Sequence, residues 1–134
     1  MELEKYLEEI NAQKQIDKLA KKYKNKKILM YGAGSYFQLI CEKYDLSNLN
    51  IIAISDMKFT TDSESNKTPY KAIKPSEMKY YDYDVIVVSL LNDLSVAKSI
   101  DKDILQNSQN QNKPIVPLLS PTFKYLIKLY FNKI

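Results

Sequence analysis

The chain has no histidine, no tryptophan and a single cysteine, and all 20 of its basic residues are lysines, so arginine is absent as well. Each absence removes a chemistry. Without histidine there is no side chain whose unperturbed pKa lies near neutrality, which disfavours self-contained acid–base catalysis. Without arginine there is no rigid planar fork to grip a phosphate or carboxylate through two hydrogen bonds. One cysteine, Cys41, excludes an internal disulfide and fits a reducing compartment. With no histidine to activate it, Cys41 reads as a small core hydrophobe. No metal is expected, because the acids do not cluster at ligand spacing. No apolar run reaches the roughly 20 residues that span a bilayer. The start, MELEKYLEEI, is acidic and amphipathic, the opposite of a secretory signal. The expectation is a cytoplasmic protein with no transmembrane segment.

What is present fits one domain over residues 1–134, with 45% hydrophobic residues, 11 tyrosines and 4 phenylalanines available for a core. The net charge of +4 is unevenly placed. Residues 18–27, KLAKKYKNKK, carry six lysines and no acid, and the last 14 residues, PTFKYLIKLYFNKI, carry three lysines among large apolar side chains. Both clusters read as solvated helix faces whose lysines complement the negative end of the helix dipole. An anionic membrane or a nucleic acid is the competing reading; no nucleic acid is expected.

Residues 2–24 predict a helix, with Leu3, Leu7, Ile10, Ile16, Ala20 and Tyr23 near a period of 3.6 and a polar gap at Gln13 and Lys14. Residues 1–25 are thus an N-terminal helix, 26–119 an α/β core and 120–134 a C-terminal helix. Within the core, Lys27–Tyr31, Ile51–Ser55 and Asp84–Leu91 are continuous apolar runs, the pattern of strands buried on both faces of a parallel sheet. Tyr70–Ile73 and Ile115–Leu119 supply two more, and Phe37–Tyr44 and Leu94–Leu105 are helical. Residues 57–69 and 106–113 read as polar loops, and Ser120-Pro121 as the cap and first residue of the last helix. Alternating β and α segments predict a Rossmann-like α/β domain with five mostly parallel strands in the order 3-2-1-4-5 and helices on both faces.

In such a sheet ligands sit beyond the carboxyl ends of the strands, where the strand order reverses. The first strand ends there in Gly32-Ala33-Gly34-Ser35-Tyr36-Phe37. A glycine turn opening a helix offers free N–H groups and the positive end of a dipole to a phosphate, without any cationic side chain. Gly32 permits the tight turn, Gly34 lets a phosphate approach, and Ser35 caps the helix or donates to the phosphate. Asp56 closes the second strand 22 residues after Gly34, where an acid holds a ribose hydroxyl. Phe37 stands where a third glycine would let the helix pack closely, and is expected to hold it away, which disfavours a full dinucleotide such as NAD(P). Ser89 and Asn92, at the end of the fourth strand, face the same crevice as candidate contacts to a base or sugar, with Asn92 or Asp93 also suited to cap the next helix. Asp82 and Asp84 lie at the amino-terminal edge, the wrong end for catalysis.

The stretches KKILMYGAGSYFQLI, NIIAISDMKF and YKAIKPSEMKYYDYDVIVVSL together resemble the Rossmann-like modules of bacterial surface-polysaccharide biosynthesis. These include the N-terminal domain of sugar O-acyltransferases and the nucleotide-binding region of polysaccharide-biosynthesis epimerases and dehydratases. The resemblance covers roughly residues 26–92. It implies that Gly32, Ala33, Gly34 and Ser35 line the phosphates and Asp56 the nucleoside or sugar of a nucleotide or nucleotide sugar. No catalytic partner domain accompanies the match, so the expectation is a binding module that is not catalytic alone. Two alternatives remain open: an NAD(P)-dependent sugar-modifying enzyme, and a non-catalytic scaffold with a degenerate site. A homo-oligomer through the helices Met1–Lys24 and Pro121–Ile134 is the expected assembly.

Overall fold

The computed structural model describes residues 2–60, 66–91 and 93–132. Its centre is a five-stranded, wholly parallel sheet: β1 (Ile28–Tyr31), β2 (Ile51–Ser55), β3 (Ala72–Ile73), β4 (Val85–Val88) and β5 (Ile115–Pro117), in the order β3-β2-β1-β4-β5. This is the Rossmann-like order predicted from the alternation of apolar strands and helices. β1 and β4 are buried at every residue, as strands covered on both faces must be.

The two faces of the sheet sort the core by the period of two. Ile28 and Met30 of β1 and Val85 and Val87 of β4 point into one layer, beneath α1 (Glu2–Glu9), α2 (Ala12–Lys22) and α3 (Ser35–Lys43). Leu29, Tyr31, Ile86 and Val88 point into the other, against a 3₁₀ turn over Pro75–Tyr80 and α4 (Asp93–Ser99), which runs on into a π-helical turn over Ile100–Ile104. α5 (Phe123–Asn132) rests on α1, with the Tyr6 and Tyr125 rings edge to face at 5.0 Å.

Several elements differ from expectation, each for a local reason. The single N-terminal helix is two. Asn11 takes a left-handed conformation (φ 56°, ψ 57°) that breaks the helix, and asparagine is among the few residues that tolerate it. The bend lets Leu7, Ile10, Ala12 and Ile16 all reach one core. The last helix is capped by Thr122, whose Oγ1 accepts the Tyr125 N–H at 3.1 Å, and not by Ser120. Ser120 instead exchanges two hydrogen bonds with the Gln15 side chain, at 2.9 Å each. In the segment read as the polar loop 57–69, Met57–Thr60 winds into a 3₁₀ turn around a buried Phe59, while residues 61–65 lie outside the described residues. So do Met1, Lys133 and Ile134, at the ends of the two expected terminal helices. Asp84 and Asp82 are used at the amino-terminal edge as structure: Asp84 Oδ2 accepts the Lys27 N–H at 2.7 Å, and Asp82 pairs with Lys27 Nζ.

The polar stretch 106–113 hides a buried clamp. Asn110 is fully buried, and its Nδ2 donates to the carbonyls of Met78 and Lys79 at 3.1 Å and of Tyr81 at 2.8 Å. Asn110→Ala strips the donor from three carbonyls at once. We expect it to cost about 3 kcal/mol, since a buried polar group left without a partner costs ~1–3 kcal/mol. The midpoint of urea unfolding reads this directly, and a loss below about 1 kcal/mol would mean that water takes over the carbonyls.

Candidate functional site

The glycine turn is built from three sides. Leaving β1, Gly32 donates its N–H to Ser55 O at 2.8 Å, and its own carbonyl accepts Ser89 Oγ–H at 2.7 Å, so the turn is tied to the ends of both β2 and β4. Gly32 has φ 114°, and a Cβ there would stand 2.9 Å from Ser89 O and Leu90 Cγ. No L side chain fits. Ala33 follows, fully buried; its N–H donates to Asp56 Oδ2 at 2.7 Å, and its carbonyl accepts Lys58 Nζ and Gln38 Nε2, each at 3.1 Å. Asp56 Oδ1 takes the Lys58 N–H at 3.1 Å.

Gly34 then caps α3 with ordinary extended backbone (φ −82°) and no side-chain bond. The first N–H groups of a helix have no intrahelical acceptor and stand at the positive end of its dipole. A Cβ on Gly34 would meet nothing within 4 Å. The two glycines therefore differ in kind: Gly32 is required by its neighbours, whereas Gly34 borders open space at the start of a helix.

Beside the turn, at the carboxyl ends of β1, β2 and β4, lies a crevice of about 600 Å³. It occupies the point between β1 and β4 where the strand order reverses. Its polar groups are the carboxylates of Asp56 and Asp103 and the hydroxyls of Tyr31, Ser95 and Ser99; Leu90, Val96 and Ile104 give it an apolar wall. Among the described residues no lysine lines it. Burial, reinforced by the charge of Asp56, pushes the Tyr31 phenol up to about 12, so it stays a neutral donor. The π-helical turn brings Asp103 and Ile104 to the rim, and such turns recur at functional sites. A second, larger groove of about 790 Å³ runs along α2 beside Gln13, Asp17, Lys21 and Asp45, ahead of β2 and far from the strand ends that form the crevice.

The expected site residues thus divide. Asp56 meets the glycine turn at the Ala33 N–H and also lines the crevice, whereas Gly32, Ala33 and Gly34 are not among the residues that line it. Ser35 is exposed in the first turn of α3, but it does not cap the helix; Gly34 holds that position. The Tyr36 side chain packs against the apolar layer under α3. Ser89 is fully buried and spends its hydroxyl on Gly32 O, so it holds the turn and does not face the crevice. Asn92 lies outside the described residues. Phe37 is fully buried in the same layer, near the Tyr70 ring, and is a core anchor of α3. Cys41 is half-buried against that layer, and burial with the charge of Glu42 pushes its thiol up to about 11, away from reactivity.

Three contributors were not singled out in the sequence. Lys58 follows Asp56 by two residues and reaches the turn only because the chain winds tightly after β2. Ser99 comes to the crevice at the end of α4, and Asp103 through the π-helical turn, which no periodicity announces. Among the described residues, no group of three or more His, Cys, Asp or Glu side chains is placed to hold a metal, and no helix is long and apolar enough to cross a membrane.

Fold and site together define a Rossmann-like α/β domain with a glycine turn, an acid at the tip of β2 and a crevice at its switch point. Residues 24–115 match the C2185-like N-terminal family over more than half of the chain, and the protein belongs to that family. No curated protein and no solved structure matches it.

Proposed function

We propose that the protein is a nucleotide- or nucleotide-sugar-binding module in sugar or surface-polysaccharide biosynthesis, acting within a larger enzyme and not catalytic alone. The observation that carries this reading is the open space at Gly34, at the amino end of α3 and one residue from the Ala33 N–H that Asp56 of the crevice holds. A phosphate seated there accepts from the first amides of α3, with Lys58 as the nearest cation on the turn. The sugar or base then extends into the crevice. Asp56 still has lone pairs for a hydroxyl there after bonding Ala33 and Lys58, since each carboxylate oxygen accepts more than one bond. The assignment to polysaccharide chemistry rests on the resemblance of residues 26–92.

An NAD(P)-dependent sugar-modifying enzyme is the second reading, favoured by the neutral Tyr31 phenol beside two carboxylates. It lacks support in the helix–strand packing, where Phe37 replaces the third small residue. A non-catalytic scaffold is the third reading, and rests on the exposed apolar side chains of α5.

A thermal-shift panel with UDP, UDP-sugars, CMP, NAD, NADP, CoA and ATP at millimolar concentration tests the proposal. A ligand at 100 times its Kd adds about 2.7 kcal/mol. For a domain of this size that raises the melting temperature by roughly 10 °C. A rise with one nucleotide class supports the module and names its ligand, a rise with NAD or NADP alone favours the enzyme, and no rise with any of them rules the binding function out.

A further inference from the structure

The crevice at the switch point has a polar floor that the fold does not use. Tyr31 is only 3% exposed, yet it lines the crevice, and no hydrogen bond among the described residues engages its hydroxyl. Ser55, its register partner on β2, projects to the same face, and its fully buried Oγ is also without a partner. Buried hydroxyls are as a rule hydrogen-bonded, so two left free at the strand tips, one of them opening on a crevice, call for a ligand that bonds there. At the rim, the Asp103 carboxylate has no hydrogen bond or ion pair among the described residues. Asp56, by contrast, already accepts the Ala33 and Lys58 N–H groups.

The chemistry of the lining decides which part of a ligand enters. Two carboxylates, with no lysine among the described lining residues, repel a phosphate and leave it to the amides of α3. Carboxylates only accept, and the hydroxyls of Tyr31, Ser95 and Ser99 accept as well as donate, so the part that enters must supply several donors. Uracil, cytosine and adenine each offer a single N–H or amino group flanked by acceptors, whose lone pairs would face the carboxylates. A hexose carries a donor hydroxyl on most of its ring carbons, and its C–H faces suit the apolar wall of Leu90, Val96 and Ile104. The crevice volume of about 600 Å³ is that of a small-molecule site. We propose that the crevice holds the glycosyl group of a nucleotide sugar, a hexose bound through its hydroxyls to Asp103, Tyr31 and Asp56, and that the base lies outside it. This assignment rests on the nucleotide-binding reading and deepens it.

Isothermal titration of the full chain compares UDP, GDP, ADP and CDP with UDP-glucose, GDP-glucose, ADP-glucose and CDP-glucose. For the base that binds, the glucosyl ester is expected to bind about tenfold more tightly than the diphosphate, or better. Tyr31→Phe removes only an unpartnered hydroxyl, so the melt should hold or rise. The glucosyl ester should lose about fivefold in affinity and the diphosphate nothing. Asp103→Asn, at an exposed position, should cost the ester about tenfold and again spare the diphosphate. A diphosphate that binds as tightly as its ester overturns the assignment and leaves the nucleotide reading standing. If that diphosphate is GDP, the crevice takes guanine, whose adjacent donors also suit a carboxylate. A gain from glucose that survives both variants overturns the assignment too, because the sugar then lies elsewhere. If none of the eight binds, the assignment falls, and the thermal-shift panel decides the nucleotide reading separately.

Discussion

Replacing Gly32 with alanine is expected to cost about 3 kcal/mol or more, a large share of the ~5–15 kcal/mol that holds a domain of this kind together. Two effects act on the same atom. A φ of 114° is one that L side chains rarely adopt, and strain of that sort costs ~1–3 kcal/mol. The new methyl would also stand 2.9 Å from Ser89 O, a backbone atom of the chain leaving β4 that cannot swing away as a side-chain end can. Overpacking of a close-packed interior costs a further ~1–3 kcal/mol. Relief requires the turn to move off β4, which breaks the Ser89 Oγ–H to Gly32 O bond and loosens the Ser55 tie on the other side. Urea unfolding would show the loss as a lower midpoint at unchanged slope. A loss under 1 kcal/mol would mean that the turn has room to relax, and that Gly32 is not the hinge between β1 and β4.

The parts of this molecule that could be read from its sequence are those governed by periodicity and by short-range geometry. The runs ILMY, IIAIS and VIVV have no polar interruption, and only burial on both faces suits them, so the sheet and its order follow. The glycine turn and Asp56 were legible because their spacing is imposed by one βαβ crossover. The departures arise where a single residue acts over a distance. In a chain with only two glycines, asparagine takes the left-handed positions: Asn11, Asn25, Asn107 and Asn112 all have positive φ. Asn11 breaks the helix just ahead of the polar gap at Gln13 and Lys14, with the apolar spacing resuming beyond it. Asn110, inside a stretch that reads as low-complexity loop, is a fully buried clamp on carbonyls about 30 residues away. Ser89 was placed correctly at the strand end, but its hydroxyl goes to Gly32, a partner 57 residues back along the chain. Composition describes such segments as polar; only the contacts reveal which polar atoms are structural.

Gly34→Val separates the fold from the site. At Gly34 the backbone is ordinary and the added Cβ meets nothing within 4 Å, so no clash of the Gly32 kind arises. Valine is a poorer helix cap than glycine, and the expected stability cost is about 1 kcal/mol. Binding should respond far more. The side chain would fill the space through which a phosphate reaches the amides of α3, and a ligand held by several charge-assisted bonds, each worth ~1.5–3 kcal/mol, loses them together. The affinity of whichever nucleotide raises the melting temperature should fall by at least a hundredfold, about 2.7 kcal/mol. Isothermal titration on wild type and variant, with folding checked by a cooperative melt lowered by only a few degrees, reads that ratio. Unchanged affinity would mean that the ligand lies wholly on the α4 side of the crevice, among Tyr31, Asp56 and Asp103, and that the amino end of α3 holds no phosphate. Because Gly32→Ala strains the turn and Gly34→Val only occupies the space above it, the pair tests whether one glycine serves the architecture and the other a ligand.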